Sequence, residues 1–434
     1  MTGLRAVAVI GGGIAGIQAS LDLAERGFQV YLVERSPSIG GTMALLDKTF
    51  PTLDCAICIL APKMIEALRH PKIRLLTYSE ATGLSGEAGD FKLRIRRRPR
   101  YVDEGRCTGC GTCASKCPTK VPDEYQMGMS QRKAIHVPFP QAVPLVYTID
   151  DKSCIHLTRG GCGLCEKVCE AKAINFDQKA EEMEVNVLGI VVATGLTPWD
   201  PTPLKEYGYH RFRDVVTAME LERMITATGP TEGKLLRPSG LGHPKRIAFI
   251  QCIGSRDLSK GLPYCSAVCC MHATKEAILV KEHEPGAEVT IFYTDLRAFG
   301  KGFRDFANRA RDEYGISYVR AKPAEIRENK NRSLSFWYEN TQTGEIAEAN
   351  ADLLVLCTAL TPNPDNAALA KTLGLELDDN GFFRHPHSVL LPTSTTREGV
   401  YVCGYAQGPK DIPDSIAEAS GASALLAVVG RGRP

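Results

Sequence analysis

Sixteen cysteines punctuate the 434 residues, and twelve of them fall into three groups with the spacing of metal ligands. Cys107-x2-Cys110-x2-Cys113-x3-Cys117-Pro118 is the run that bacterial ferredoxins use for 4Fe-4S clusters, its last cysteine going to the neighbouring cluster. A second set follows as Cys154 and then Cys162-x2-Cys165-x3-Cys169. The usual crossing predicts one cluster on Cys107, Cys110, Cys113 and Cys169 and another on Cys117, Cys154, Cys162 and Cys165. Cys154 stands further from Cys162 than the usual two residues and is the least regular ligand of the eight. Zinc is the alternative, but its paired two-residue spacings leave the triplet runs unexplained. The third group, Cys252, Cys265, Cys269 and Cys270, follows a predicted strand, where a second glycine-rich dinucleotide loop would be expected. Glycines there would admit a pyrophosphate to backbone N–H groups, whereas thiolates suit an iron-sulfur cluster. A vicinal disulfide at Cys269-Cys270 is the competing reading, disfavoured in a reducing compartment.

A flavin fits the elements that must position these groups. Val7–Ile10 reads as a short apolar strand, followed by Gly11-Gly12-Gly13-Ile14-Ala15-Gly16, an amphipathic helix to about Arg26 and a second strand ending at Glu34. In this context Gly11 permits the tight turn, Gly13 the approach of pyrophosphate, Gly16 close helix packing, and Glu34 a bond to ribose hydroxyls. Arg35, the Gly40-Gly41 pair and Lys48 extend the site and favour FAD over NAD. The segment GIVVATG, ending in Thr194 and Gly195, returns as a buried strand and small-residue turn, and DLLVLCTALTP (352–362) repeats that pattern in a second α/β unit. A last FAD element is expected at 400–406, where Gly404 is followed by Tyr405 rather than an acid, leaving the ribityl contact unassigned. Downstream, Lys410, Asp411 and Ile412 open a helix whose N–H groups would face the flavin ring.

Composition excludes other classes. A net charge of +2 argues against nucleic acid as a partner, and the basic stretch Arg94–Arg100 alternates with Phe91, Leu93 and Ile95 as the wet face of a strand. No apolar run approaches the ~18 residues of a membrane span, and the N-terminus shows no signal pattern, so a cytoplasmic protein is expected. The predicted fold is α/β: a thioredoxin-reductase-like flavoprotein with two Rossmann-type units and an inserted ferredoxin-like α+β domain. Its expected segments are 1–98 (FAD), 99–180 (insert), 181–240 (FAD), 241–360 (degenerate nucleotide unit with its own cluster) and 361–434 (FAD). The Pro-rich stretch 121–149 reads equally as an extended arm or as a packed connector.

The chain resembles one family, the HdrA-like flavin and iron-sulfur subunits of heterodisulfide reductase. The resemblance rests on KTFPTLDCAICILAPK (48–63), the ferredoxin insert, the Cys252/Cys265/Cys269/Cys270 group and AQGPKDI (406–412). It implies FAD, three 4Fe-4S clusters, a third cluster close to FAD and an electron-transfer role that includes flavin-based bifurcation in some members. It implies as partners other heterodisulfide-reductase-like subunits and a ferredoxin, hydrogenase, formate dehydrogenase or aromatic-ring reductase module, with a homodimer inside a larger complex. Longer members carry additional cluster domains, so the chain reads as a short form. Cys55 and Cys58 stand open between a redox dithiol, a cluster ligand shared with a partner, and a structural role. A dithiol would suit the alternative function, a stand-alone disulfide or NAD(P)H oxidoreductase. A scaffold with purely structural clusters is the remaining rival. Cys357 and Cys403, on buried strands, read as small hydrophobes.

Overall fold

Ala6–Ile10 is an unbroken apolar run, buried at every position, and it forms the middle of a five-stranded sheet. The order is Val400–Val402, Ile190–Val192, Ala6–Ile10, Gln29–Glu34, Ile73–Thr77, and every neighbouring pair is parallel. Strands buried on both faces read as continuous apolar runs, which is why 7–10 and 190–192 lack alternation. A second, antiparallel sheet joins Ser79–Glu87, Asp90–Arg97 and Glu181–Val187. Here alternation is strict: Phe91, Leu93 and Ile95 are fully buried, while Arg96 and Arg94 stand outward opposite Glu182 and Glu184. Arg94 and Arg96 are thus the wet face of a strand, as the pattern indicates, but the expectation fails at Arg100, which lies beyond the strand and is buried, donating to Thr148 Oγ1 at 2.8 Å and to the carbonyl of Pro37 at 2.7 Å and paired with Glu104.

That sheet also explains how the ferredoxin-like segment is accommodated. Arg97 pairs with Glu181, so residues 98–180 leave and re-enter the chain at adjacent points of one ladder. Within the insert, Lys120–Pro122 pairs with Gln131–Lys133 and Ile135–His136 with Thr148–Ile149. The Pro-rich stretch is a packed connector. Val143 accepts from the N–H of Ile39 at 3.0 Å, its own N–H donates to Ser38 Oγ at 2.8 Å, and Phe139 is buried with its ring stacked on Tyr125.

The computed structural model describes residues 5–260 and 262–429, and its contacts separate two compact units. The first comprises Met1–Ala44, Ile57–Leu196 and Pro362–Pro434; the second comprises Leu45–Ala56 and Thr197–Thr361. The second unit has its own five-stranded parallel sheet, ordered Val215–Thr217, Leu353–Thr358, Arg246–Ile253, Glu288–Tyr293, Ser317–Arg320. This division differs from the expected segments at two places. Residues 197–240 fall with the second unit, because Val215–Thr217 adds to its sheet edge beside Leu353–Thr358. Residues 45–56 also fall there, tied in by a buried network described below. Sequence could not assign a three-residue strand to either sheet, since both are parallel and apolar.

Candidate flavin and iron-sulfur sites

In the first unit, the helix Ile14–Glu25 begins directly after Gly13, with its open N–H groups at the glycine-rich turn. Gly11 has φ +108°, and a Cβ there would lie 2.3 Å from the carbonyl oxygen of Ala193. A Cβ at Gly16 would lie 1.8 Å from the carbonyl of Gly11, and one at Gly41, where φ is +56°, would meet Gly13 Cα at 2.8 Å. Gly13 differs: its Cβ would find nothing nearer than 3.9 Å. Three glycines are therefore demanded by the fold, and Gly13 leaves a space that the protein itself does not fill. Glu34 accepts from the N–H of Gly12 at 2.6 Å and from that of Ser36 at 2.7 Å, which fixes its carboxylate at the rim of that space. Gly195, at φ +71°, also borders open space, and Thr194 donates to Asn366 Oδ1 at 2.7 Å. The cradle fits a dinucleotide pyrophosphate and ribose.

Other expected contributors take different duties. The Arg35 guanidinium pairs with Asp365, and Lys48 sits in the second unit, paired with Glu282 at 3.2 Å. Lys410 is turned inward: its ammonium contacts Glu418 at 2.8 Å and the carbonyl of Gly404 at 3.0 Å, and burial lowers its pKa against the pull of Glu418. Asp411 caps the helix Ile412–Val429, accepting from the N–H of Asp414 at 2.9 Å. Gly404, with φ +65°, packs against Ala15 of the first helix.

The insert brings one of the two expected cysteine sets around a single cavity. Cys117, Cys154, Cys162 and Cys165 line one cavity, together with Pro118, His156 and Phe176. Burial pushes the Cys165 thiol up to about 11, and proximity to Cys154 and Cys117 adds to the shift. Burial also pushes Cys113 up to about 12, and Cys107, Cys165 of the cavity set and Cys110 add to the shift. Cys113 and Cys165, so reluctant to ionise alone, become thiolates when a metal supplies the opposing charge, which suits them to metal ligation better than to free redox chemistry.

In the second unit, the strand Arg246–Ile253 breaks register near its end, where Cys252 has φ +58°, and runs into a turn with Gly254 at +72° and Arg256 at +59°. The helix Cys269–His283 then begins on the cysteine pair itself. Cys265, Cys252 and Cys270 all act electrostatically on Cys269, and burial is the largest cause of its raised pKa. Burial pushes Cys270 up to about 11. The four thiols are mutual neighbours, and Cys269 and Cys270 are both free. Trp199 covers Gly254, whose Cβ would lie 2.4 Å from the indole, so a pyrophosphate could not use this turn. Arg256, beside Cys252 and 2.7 Å from Asp295, was not apparent from spacing. Cys357 and Cys403 are buried, as expected of small hydrophobes.

Sequence reasoning also missed a charged core. Glu222, Lys275 and Glu276 are wholly buried, and the Lys275 ammonium pairs with Glu222. Glu222 also receives His272 Nε2 at 2.7 Å and the N–H of Asp47 at 2.6 Å, while Arg223 donates to the carbonyl of Leu45 at 2.8 Å. These bonds hold residues 45–56 in the second unit.

Three family models match: "FAD dependent oxidoreductase" over residues 6–49, "4Fe-4S binding domain" over 100–123 and "Pyridine nucleotide-disulphide oxidoreductase" over 266–422. Among curated proteins, the HdrA iron-sulfur subunit of the CoB–CoM heterodisulfide reductase of Methanocaldococcus jannaschii is 52% identical over 421 residues, covering 97% of this chain and 63% of that protein. The chain is similar to the HdrA subunits of heterodisulfide reductase. The corresponding subunit of the H2:CoB-CoM heterodisulfide,ferredoxin reductase of Methanothermobacter marburgensis is 51% identical over 420 residues, covering 97% and 63%. The chain thus spans a little under two thirds of these HdrA proteins. Among solved structures, thioredoxin reductase of T. acidophilum aligns with TM-score 0.53 at 13% identity, covering 98% of each chain. That of Lactococcus lactis aligns at 0.52 and 17%, covering 99% of this chain and all of the other. These two likenesses establish the fold. FAD and iron-sulfur clusters follow from the family models and from the HdrA relatives, and no helix among the described residues is long and apolar enough to cross a membrane.

Proposed function

We propose that this chain is an oxidoreductase subunit that passes electrons between FAD and three 4Fe-4S clusters in a heterodisulfide-reductase-type complex. One observation carries the reading: the cavity lined by Cys117, Cys154, Cys162 and Cys165 lies in the same unit as the glycine-rich cradle and Glu34. When bound, FAD would exchange electrons in pairs or singly, and the clusters would carry them singly. The protein's part is to bind and orient. Gly13 leaves room for the pyrophosphate, Glu34 is fixed for ribose, and the buried thiols are held in sets that ligation would ionise.

The third cluster is assigned to Cys252, Cys265, Cys269 and Cys270, where the strained loop and the helix start replace a nucleotide pocket. Proposed partners are the remaining heterodisulfide-reductase-type subunits and a ferredoxin, since relatives are named for ferredoxin, H2 and F420H2 as well as for CoB–CoM heterodisulfide. The proposal includes flavin-based bifurcation, which would appear as strictly paired reduction of two acceptors. Anaerobic purification of the native complex tests the assignment. Recovery with heterodisulfide-reductase-type subunits supports it, and recovery as a lone protein that turns over disulfide with NAD(P)H would replace it with the stand-alone oxidoreductase.

A further inference from the structure

The irregular gap between Cys154 and Cys162 has a structural use. Its residues form the short helix Ile155–Arg159, closed by Gly160 at φ +76° and tied back by Thr158 Oγ1, which donates to the carbonyl of Cys154 at 2.8 Å. This turn places His156 in the wall of the cavity that the four cysteines line. The imidazole is clamped there. Its ring stacks on Phe176, with centroids 3.8 Å apart and planes at 20°, and Nδ1 meets the carbonyl oxygen of Cys162. A carbonyl is an acceptor only, so Nδ1 carries the proton and donates it.

We propose that His156 sets the reduction potential of the cluster held by Cys117, Cys154, Cys162 and Cys165, acting through the Cys162 carbonyl; this rests on the cluster assignment above. Adding an electron to a cluster adds negative charge. The negative end of a carbonyl dipole on a ligand residue opposes that addition, and a hydrogen bond donated to the carbonyl offsets the opposition. Net charge, hydrogen bonding around the cluster and solvent exposure are the protein's means of setting such potentials. His156 therefore raises the potential of this cluster above the value it would have without that hydrogen bond. It is a positioning residue rather than a ligand.

The test is an anaerobic redox titration of the whole chain, followed by EPR, on the parent, His156→Phe, His156→Gln and Phe176→Leu proteins. His156→Phe keeps a ring on Phe176 and removes the donor, and one of the two insert signals should move to a more negative potential while the other stays fixed. His156→Gln retains a donor and should restore much of the parent potential. Phe176→Leu leaves every ligand and the imidazole in place but loosens the clamp, and should shift the same signal in the same direction by less. Parent potentials in both His156→Phe and Phe176→Leu, with cluster content intact, would overturn the proposal. Should His156→Phe fail to assemble the cluster, the Phe176→Leu titration decides. Absence of the second insert signal from the parent protein would instead refute the cluster assignment itself, and this inference with it.

Discussion

Replacing Gly13 by alanine separates a glycine needed by the cofactor from glycines needed by the fold. Its φ of −74° is available to any residue, and the nearest atom to a new Cβ is Gly41 Cα at 3.9 Å. The polypeptide should accept the methyl with a stability change within about 1 kcal/mol, the range for Gly-to-Ala changes where the backbone is compatible. The same methyl would occupy the approach to the helix N-terminus. Losing one charge-assisted hydrogen bond between a backbone N–H and the pyrophosphate costs roughly 1.5–3 kcal/mol, or about 10- to 150-fold in FAD affinity. Gly16→Ala makes the opposite case. Its Cβ would lie 1.8 Å from the Gly11 carbonyl oxygen, so helix and strand must part, at about 1–3 kcal/mol of overpacking or more. Apoprotein unfolding in urea and FAD binding by fluorescence quenching read the two quantities separately. Gly13→Ala protein that unfolds like the parent and also binds FAD like the parent would refute the cradle argument.

Further expectations concern the clusters, the charged core and the degenerate nucleotide loop. Cys154→Ser should remove about four irons and one insert EPR signal, with FAD retained, by anaerobic iron assay and EPR; unchanged iron would transfer the ligand role to another residue. Glu276 is fully buried; burial and the nearby Glu222 raise its pKa well above the usual value. A raised acid favours folding least at high pH. The native state keeps a proton that the unfolded chain releases above about pH 4.3, at a cost of about 1.4 kcal/mol per pH unit up to the native pKa. Glu276→Gln should therefore be more stable than the parent at pH 7 and lose that advantage as pH falls to 4, measured by urea unfolding across pH. Lys275→Met leaves Glu222 buried without its cation and should cost about 3–5 kcal/mol in the same assay. NADH and NADPH should leave the flavin oxidised in stopped-flow mixing, because Trp199 covers Gly254 and the cysteines occupy the helix start that a pyrophosphate would need.

The local chemistry is legible because ligand spacing and glycine-rich turns are short-range signals. Cys107 to Cys117 and Gly11 to Glu34 announce their partners within a few residues to one βαβ unit. The strand at 90–97 is equally clear, since Phe91, Leu93 and Ile95 can share only one face. What stays hidden depends on distant pairings. Nothing local in 45–56 or 215–217 says which sheet or core will take it, and the Glu222–Lys275 pair that anchors the first of these joins positions 53 residues apart. Lys410 reads as a flavin contact from its neighbours, yet a carboxylate eight residues on, Glu418, holds it inward. His156 is invisible in sequence for a similar reason. Only the folded gap between Cys154 and Cys162 brings its ring to Phe176 and to the cavity wall.

Quantifying iron, acid-labile sulfide and flavin in anaerobically prepared protein is the most direct test of the electron-carrying assignment. Four cysteines per cluster predict about twelve irons, about twelve sulfides and one FAD per chain. Zinc in stoichiometric amount, or NAD in place of FAD, would contradict it.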